Sequence, residues 1–141
     1  APRRTSNGID YNRMCLLLAV LEKRLGLKFS TCDVYLNVIG GLRLDEPAID
    51  AAACLALISS LRDIPVPDNV IAFGEVGLSG EFRQVASAEQ RLNEAYRLGF
   101  TKIALPKRSH LKTIPDGVEI VPLVGIYDAL KLLAAENKEK K

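Results

Sequence analysis

Three carboxylates within six residues, Asp45, Glu46 and Asp50, form the densest group of potential metal ligands in the chain. A hard cation takes several oxygens from a flexible loop, and this spacing could offer them. A structural use accounts for the same residues more simply. Pro47 suits the first turn of a helix, where acids are favoured by the dipole, and Asp50 either extends that effect or pairs with an arginine. No metal is assigned. The series Gly74-x-x-Gly77-x-x-Gly80 resembles a phosphate loop only superficially. No Gly-Lys-Ser/Thr follows, nor a Gly-x-Gly-x-x-Gly opening a helix, so turns are the better reading. His110 is the sole histidine, and with Lys107, Arg108 and Lys112 around it there is neither a zinc set nor a triad. Cys15, Cys32 and Cys54 lack C-x-x-C spacing, and two lie in apolar helical runs, so they read as buried thiols of a reducing compartment.

The elements that must position these residues can be read from periodicity and punctuation. A first helix is expected from the N-cap Asp10 to Leu25, with Met14, Leu17, Leu18, Leu21 and Leu25 on one stripe and Gly26 as left-handed cap. Val34, Leu36 and Val38 alternate as a strand, Gly40-Gly41 bends the chain, and Leu42 and Leu44 extend the pairing. A second helix starts at Pro47 and is apolar almost all round through Ile58. It is therefore expected to be the central buried one, with Ala52, Ala56 and Leu57 inaccessible. At Ala56 a leucine would overpack. Val70–Phe73 reads as a strand after the Pro65/Pro67 loop. Ser87-Ala88-Glu89-Gln90 reads as a capping box before a helix ended by Gly99. Residues 102–105 form a strand stopped by Pro106, residues 118–121 another, and residues 125–135 a last helix with Ile126, Ala129, Leu130 and Leu133 inward. Mixed strands and helices without strict alternation give one α/β (α+β) domain over residues 1–135, followed by a polar tail over 136–141.

Composition bounds the functional classes. At 141 residues the chain is long enough to bury roughly two-thirds of its unfolded surface in one core. No apolar run of about 18 residues is present, which argues against a membrane span, and no signal-peptide pattern opens the chain. The start at Ala1 suggests a piece of a longer protein. Net charge is only +2, yet residues 1–28 and 102–112 concentrate lysine and arginine. Such clusters suit phosphate contacts, although solvated faces look the same.

Several separated blocks carry a family resemblance. Asp45-Glu46-Pro47-Ala48-Ile49-Asp50 with its apolar run resembles the segment of Lon-type proteases that holds the nucleophilic serine before a buried helix. Gly74-Glu75-Val76-Gly77-Leu78-Ser79-Gly80-Glu81 resembles the turn preceding their catalytic lysine. Arg3-Arg4-Thr5-Ser6-Asn7-Gly8-Ile9-Asp10-Tyr11-Asn12-Arg13, Asp33 to Gly41 and Ser59 to Asp63 narrow it to the C-terminal, Lon-like domain of the bacterial RadA (Sms) family. The likeness runs from about Arg3 to Leu133.

That resemblance implies a Lon proteolytic-domain-like fold (ribosomal protein S5 domain 2-like), a mixed sheet with packed helices. It also implies a cytoplasmic parent: a hexameric DNA-dependent ATPase of helicase type acting in recombinational repair by branch migration. ATP, Mg and Zn would belong to upstream domains, with no cofactor here. Partners would be five further copies, DNA (single-stranded) and recombinase machinery.

In that frame the serine position is Ala48 and the lysine position Glu89. A methyl cannot attack a carbonyl, and a carboxylate cannot replace a desolvated amine. The flanking glycines of a working site, which free amides for an oxyanion, are replaced by Glu46 and Asp50. Ser59 and Ser60 lie too deep in the helix to substitute. The expected role is a silent module that scaffolds the hexamer and lines its DNA channel. Arg43, Arg62, Arg83, Lys107 and Arg108 are its candidate phosphate contacts. The alternatives are a scaffold without DNA contact and a cryptic Lon-type peptidase.

Overall fold

The computed structural model describes residues 1–139. In chain order the elements are β1 Arg4–Asn7, α1 Tyr11–Leu25, β2 Val34–Asn37, α2 Asp50–Arg62, β3 Val70–Ala72, β4 Glu75–Val76, β5 Phe82–Arg83, α3 Ala88–Arg97, β6 Lys102–Pro106, β7 Glu119–Leu123 and α4 Ile126–Glu139. Helix α1 begins where its cap demands, with the Asp10 carboxylate accepting from the Arg13 amide at 3.0 Å. It ends at Gly26, φ 69°, whose N–H reaches the Glu22 carbonyl. Met14, Leu17 and Leu21 on its inner stripe are fully enclosed.

Strand β1 has no apolar alternation, and nothing in the local sequence announces it. It exists because it pairs in parallel with β2, from Arg4 opposite Val34 to Asn7 opposite Asn37. A partner thirty residues away supplies what local pattern cannot. Past β2 the expected extension does not form. Ile39–Gly41 makes a single 3₁₀ turn, Leu42 is exposed, and the Leu44 N–H donates to the Gly8 carbonyl at 2.6 Å. The Gly40 and Gly41 φ values of 86° and 70° turn the backbone out of the extended region.

The second helix opens with a 3₁₀ turn, Pro47–Ile49, before α2 proper. It is not enclosed all round. Ala51, Cys54, Leu55, Leu57 and Ile58 are buried, whereas Ala52, Ala56 and Ser60 form an exposed stripe. Alanine counts as apolar in a pattern, but a single methyl costs little to leave in water. The burial expected at Ala52 and Ala56 is thus overturned, and a leucine at 56 would not overpack a core there.

Strands β3, β6 and β7 form a parallel sheet in the order β3-β6-β7. Pro106 does not stop β6 early. It closes the ladder opposite Leu123, at the strand end where its missing N–H costs nothing. Strands β4 and β5 make a small antiparallel hairpin through Gly77 and Gly80. The capping box at α3 is not formed. Ser87 sits at φ 61° with no hydroxyl bond to the helix, and its carbonyl accepts from the Arg91 amide. Helix α4 is started by Asp128, whose carboxylate accepts from the amides of Val124 and Gly125 at 2.8 and 3.1 Å. Of the polar tail expected over 136–141, residues 136–139 continue α4, and residues 140–141 lie outside the described residues.

Two apolar clusters result. The larger gathers α1, α2 and α4 with β2 and parts of the sheet. The smaller holds Phe73, Ala88, Leu92, Ala95, Ile103 and Leu105 between α3 and β6.

Candidate functional site

The turn before α2 carries Ala48, the position that the sequence resemblance sets against the Lon-type nucleophile. Ala48 is buried, and its carbonyl accepts from the Gly74 N–H at 2.9 Å. The Gly74 carbonyl in turn accepts from the Ala51 N–H at 3.0 Å. Gly74 has φ 151°, and a Cβ there would stand 3.1 Å from Pro106, so glycine permits this close approach. The Ile49 N–H donates to the Glu46 carbonyl and the Asp50 N–H to the Pro47 carbonyl. Three successive amides, at 49, 50 and 51, are therefore occupied. An oxyanion hole needs such donors free and aimed at developing charge, and none of these is.

The three acids separate rather than converge. Asp45 pairs with Arg43 at 3.1 Å, Glu46 with Arg91, and Asp50 with Arg13. Among the described residues no group of three histidine, cysteine or acidic side chains could hold a metal ion. Asp50 is the only buried charged residue there, at 0% exposure. It accepts from the Arg13 Nε at 2.9 Å, from the Arg13 Nη2, and from the Val76 N–H at 2.9 Å. Arg13 also donates to the Val76 carbonyl at 3.0 Å. Every buried side-chain polar atom of the cluster has a partner, which a buried charge requires. The Asp50 carboxylate raises the already high Arg13 value. Burial, with the Asp50 charge adding to it, pushes the Cys54 thiol up, so this cysteine stays protonated and unreactive.

Glu89 lies in the first turn of α3. Its Oε1 accepts from the backbone amides of Thr113 at 3.0 Å and Lys112 at 2.6 Å. Those bonds hold its carboxyl below the usual glutamate value. Glu89 is thus an ionised acid that ties down the loop after β6. Two residues on, Arg91 reaches Glu46 beside Ala48, donates to the Ala86 carbonyl at 2.8 Å and lies 6.0 Å above the Phe73 ring. Neither Arg13 nor Arg91 stands out in the sequence. Nothing in their spacing reports a partner 37 or 45 residues away.

The five candidate DNA contacts are all exposed and come from different elements and loops. Lys107 and Arg108 follow β6, and the Gln84 side chain bonds the Arg108 carbonyl at 2.7 Å, bringing the end of β5 beside them. Arg83, in β5, pairs with Glu81 at 3.1 Å, and both are solvent-accessible. Arg43 stands beyond the Gly40-Gly41 turn, and Arg62 closes α2 without a carboxylate in ion-pair range among the described residues. Exposed pairs such as Arg83–Glu81 and Arg43–Asp45 add little to stability and exchange readily for a phosphate. His110 is exposed in the loop after β6.

Residues 21–134 match the Lon protease (S16) C-terminal proteolytic domain, and the chain belongs to that family. The mixed α/β architecture of the described residues, four α-helices with parallel and antiparallel strands, fits this fold. Within it the chain is similar to DNA repair protein RadA. It is 47% identical over 130 residues to the protein of Streptococcus pyogenes serotype M6, covering 92% of this chain and 29% of that one. It is 47% identical over 132 residues to that of Bacillus subtilis, with 92% and 29% covered. To that of Synechocystis it is 43% identical over 138 residues, with 98% and 27% covered. The chain spans less than a third of the length of these relatives. No helix among the described residues is long and apolar enough to cross a membrane.

Proposed function

We propose that this domain is the proteolytically silent Lon-type tier of a RadA-type repair protein, scaffolding a hexameric ring and lending basic side chains to its DNA channel. The observation that carries the first half is the closed turn at Ala48. It offers a buried methyl where a hydroxyl is needed, three occupied amides where free donors are needed, and the Glu46–Arg91 ion pair alongside. The domain itself is then no enzyme. ATP, Mg and Zn are left to other segments of a cytoplasmic parent, and partners are single-stranded DNA and the recombination machinery.

The peptidase alternative has a direct test. The unaltered chain is expected to give no casein or peptide turnover above buffer. Ala48→Ser with Glu89→Lys is expected to give none either, because the amides at 49–51 remain occupied. Turnover by purified protein, retained after an inactive-variant control for contaminants, overturns this reading.

For DNA, single copies are expected to bind weakly and a ring more tightly, since linked sites act at high effective concentration. In the assembled protein, Arg83→Glu or Lys107→Glu should weaken binding equally across sequences. Each lost phosphate contact should reduce the log–log salt slope by about one. ATP binding should be unaltered. Unchanged affinity and slope in both variants, with the ring intact, would favour the scaffold without DNA contact. That second reading has its own support in the apolar side chains left in water, Ile39 at 90% and Leu78 at 73% exposure.

A further inference from the structure

The two-stranded sheet β1-β2 ends in an open edge. In the parallel register, the Val34 N–H donates to the Arg3 carbonyl and the Val38 N–H to the Asn7 carbonyl. The backbone groups of Val34, Leu36 and Val38 therefore point at β1. Those of Tyr35 and Asn37 point the other way, as alternation requires. No described residue pairs with them. This edge does not look into bulk solvent alone. Beside it runs a groove of about 600 Å³ between β2 and the second half of α2. Its floor is apolar, with Phe29, Leu36, Leu57 and Leu61, and the exposed Ala56 of α2 leaves room for a backbone to come close.

We propose that this groove takes an extended peptide segment of another protein, which adds as a strand to the free edge of β2. Only a strand can meet two outward N–H and C=O sets at this spacing. The usual protections of an edge, a lysine or proline within the strand, are missing from Val34–Asn37. Charge says more about the occupant. Asp33 is the only charged residue lining the groove, it is exposed, and no cation pairs with it among the described residues. Its Oδ1 accepts from the Arg3 amide at 2.8 Å, which leaves the other oxygen available. The segment is accordingly apolar at alternate positions and carries one lysine or arginine at the end beside Asp33. The groove lies along the later turns of α2, away from the turn at Ala48, so its occupancy does not depend on whether the Lon-type site is silent.

The probe is a library of random nonapeptides displayed on phage and selected on the immobilised 141-residue chain. Selected peptides should show the alternation and the terminal cation, and their synthetic forms should bind in a titration. Ala56→Glu and Asp33→Lys, both at exposed positions, should each weaken the best peptide at least tenfold with thermal unfolding unchanged. N-methylation of the peptide amides that face Tyr35 and Asn37 should abolish binding, and methylation of the intervening amides should not. Hydrogen exchange at Tyr35 and Asn37 should be fast in the free chain and slow in the complex. Failure to enrich any sequence, or binding indifferent to both variants, overturns the proposal. So does concentration-dependent self-association that Ala56→Glu abolishes, since the occupant would then be a second copy.

Discussion

Asp50→Ala is expected to destabilise the fold by about 3–5 kcal/mol, the range for removing one member of a buried ion pair. The loss would leave the Arg13 guanidinium partly buried with only the Val76 carbonyl, and the Val76 N–H without its acceptor. Arg13→Ala should cost as much or more, because Asp50 is fully enclosed and would keep an uncompensated charge. Replacing both, as Arg13→Met with Asp50→Leu, should recover most of the loss, since well-packed apolar pairs often equal buried ion pairs. Urea unfolding of the three variants measures this. A loss below about 1 kcal/mol for Asp50→Ala would mean that the cluster does not clamp α1, α2 and β4 together.

Gly8→Ala is expected to be nearly as damaging. Gly8 lies at φ 91°, and a Cβ there would stand 2.7 Å from the Val38 Cβ and closer still to the Leu42 carbonyl oxygen. The left-handed backbone alone costs about 1–2 kcal/mol for an L-residue, and a forced overlap in packed surroundings adds about 1–3 kcal/mol. Gly26 provides the control. It caps α1 at φ 69°, and an added methyl would meet nothing within 4 Å, so Gly26→Ala should show the backbone cost only. Equal losses at the two sites would refute the steric contribution at Gly8.

Much of this architecture is legible in the chain because it is local. The Asp10 cap, the Gly26 terminator and the 3.6-residue stripe of α1 all act within a few residues, and the strand signals of β2, β3, β6 and β7 are likewise local. What escaped is held by distant partners. Strand β1 has the composition of a loop and becomes a strand only opposite β2. Ser87 matches a capping pattern, yet its left-handed backbone aims the hydroxyl elsewhere, while Glu89 is drawn to the Lys112 and Thr113 amides. At the candidate site the residue types at 48 and 89 could be read directly. The arginines that claim Glu46 and Asp50 could not, because charge complementarity carries no address in one sequence.

The division of the interior into a larger and a smaller apolar cluster has a consequence for how the molecule opens. The smaller one holds six buried residues, and α3 owes its place chiefly to three of them, Ala88, Leu92 and Ala95. Regions with few enclosed contacts exchange their amides through excursions far smaller than global unfolding, as cooperative units. Helix α3 with the loop it tethers through Glu89 is expected to open as such a foldon, with α1 and α2 exchanging more slowly. Acid should loosen the first selectively. The Glu89 carboxyl has a lowered value in the folded state, so its contribution is present above the ordinary glutamate value and fades as pH falls through the lowered one. Native-state exchange at successively lower pH would then show α3 amides losing protection before those of α1.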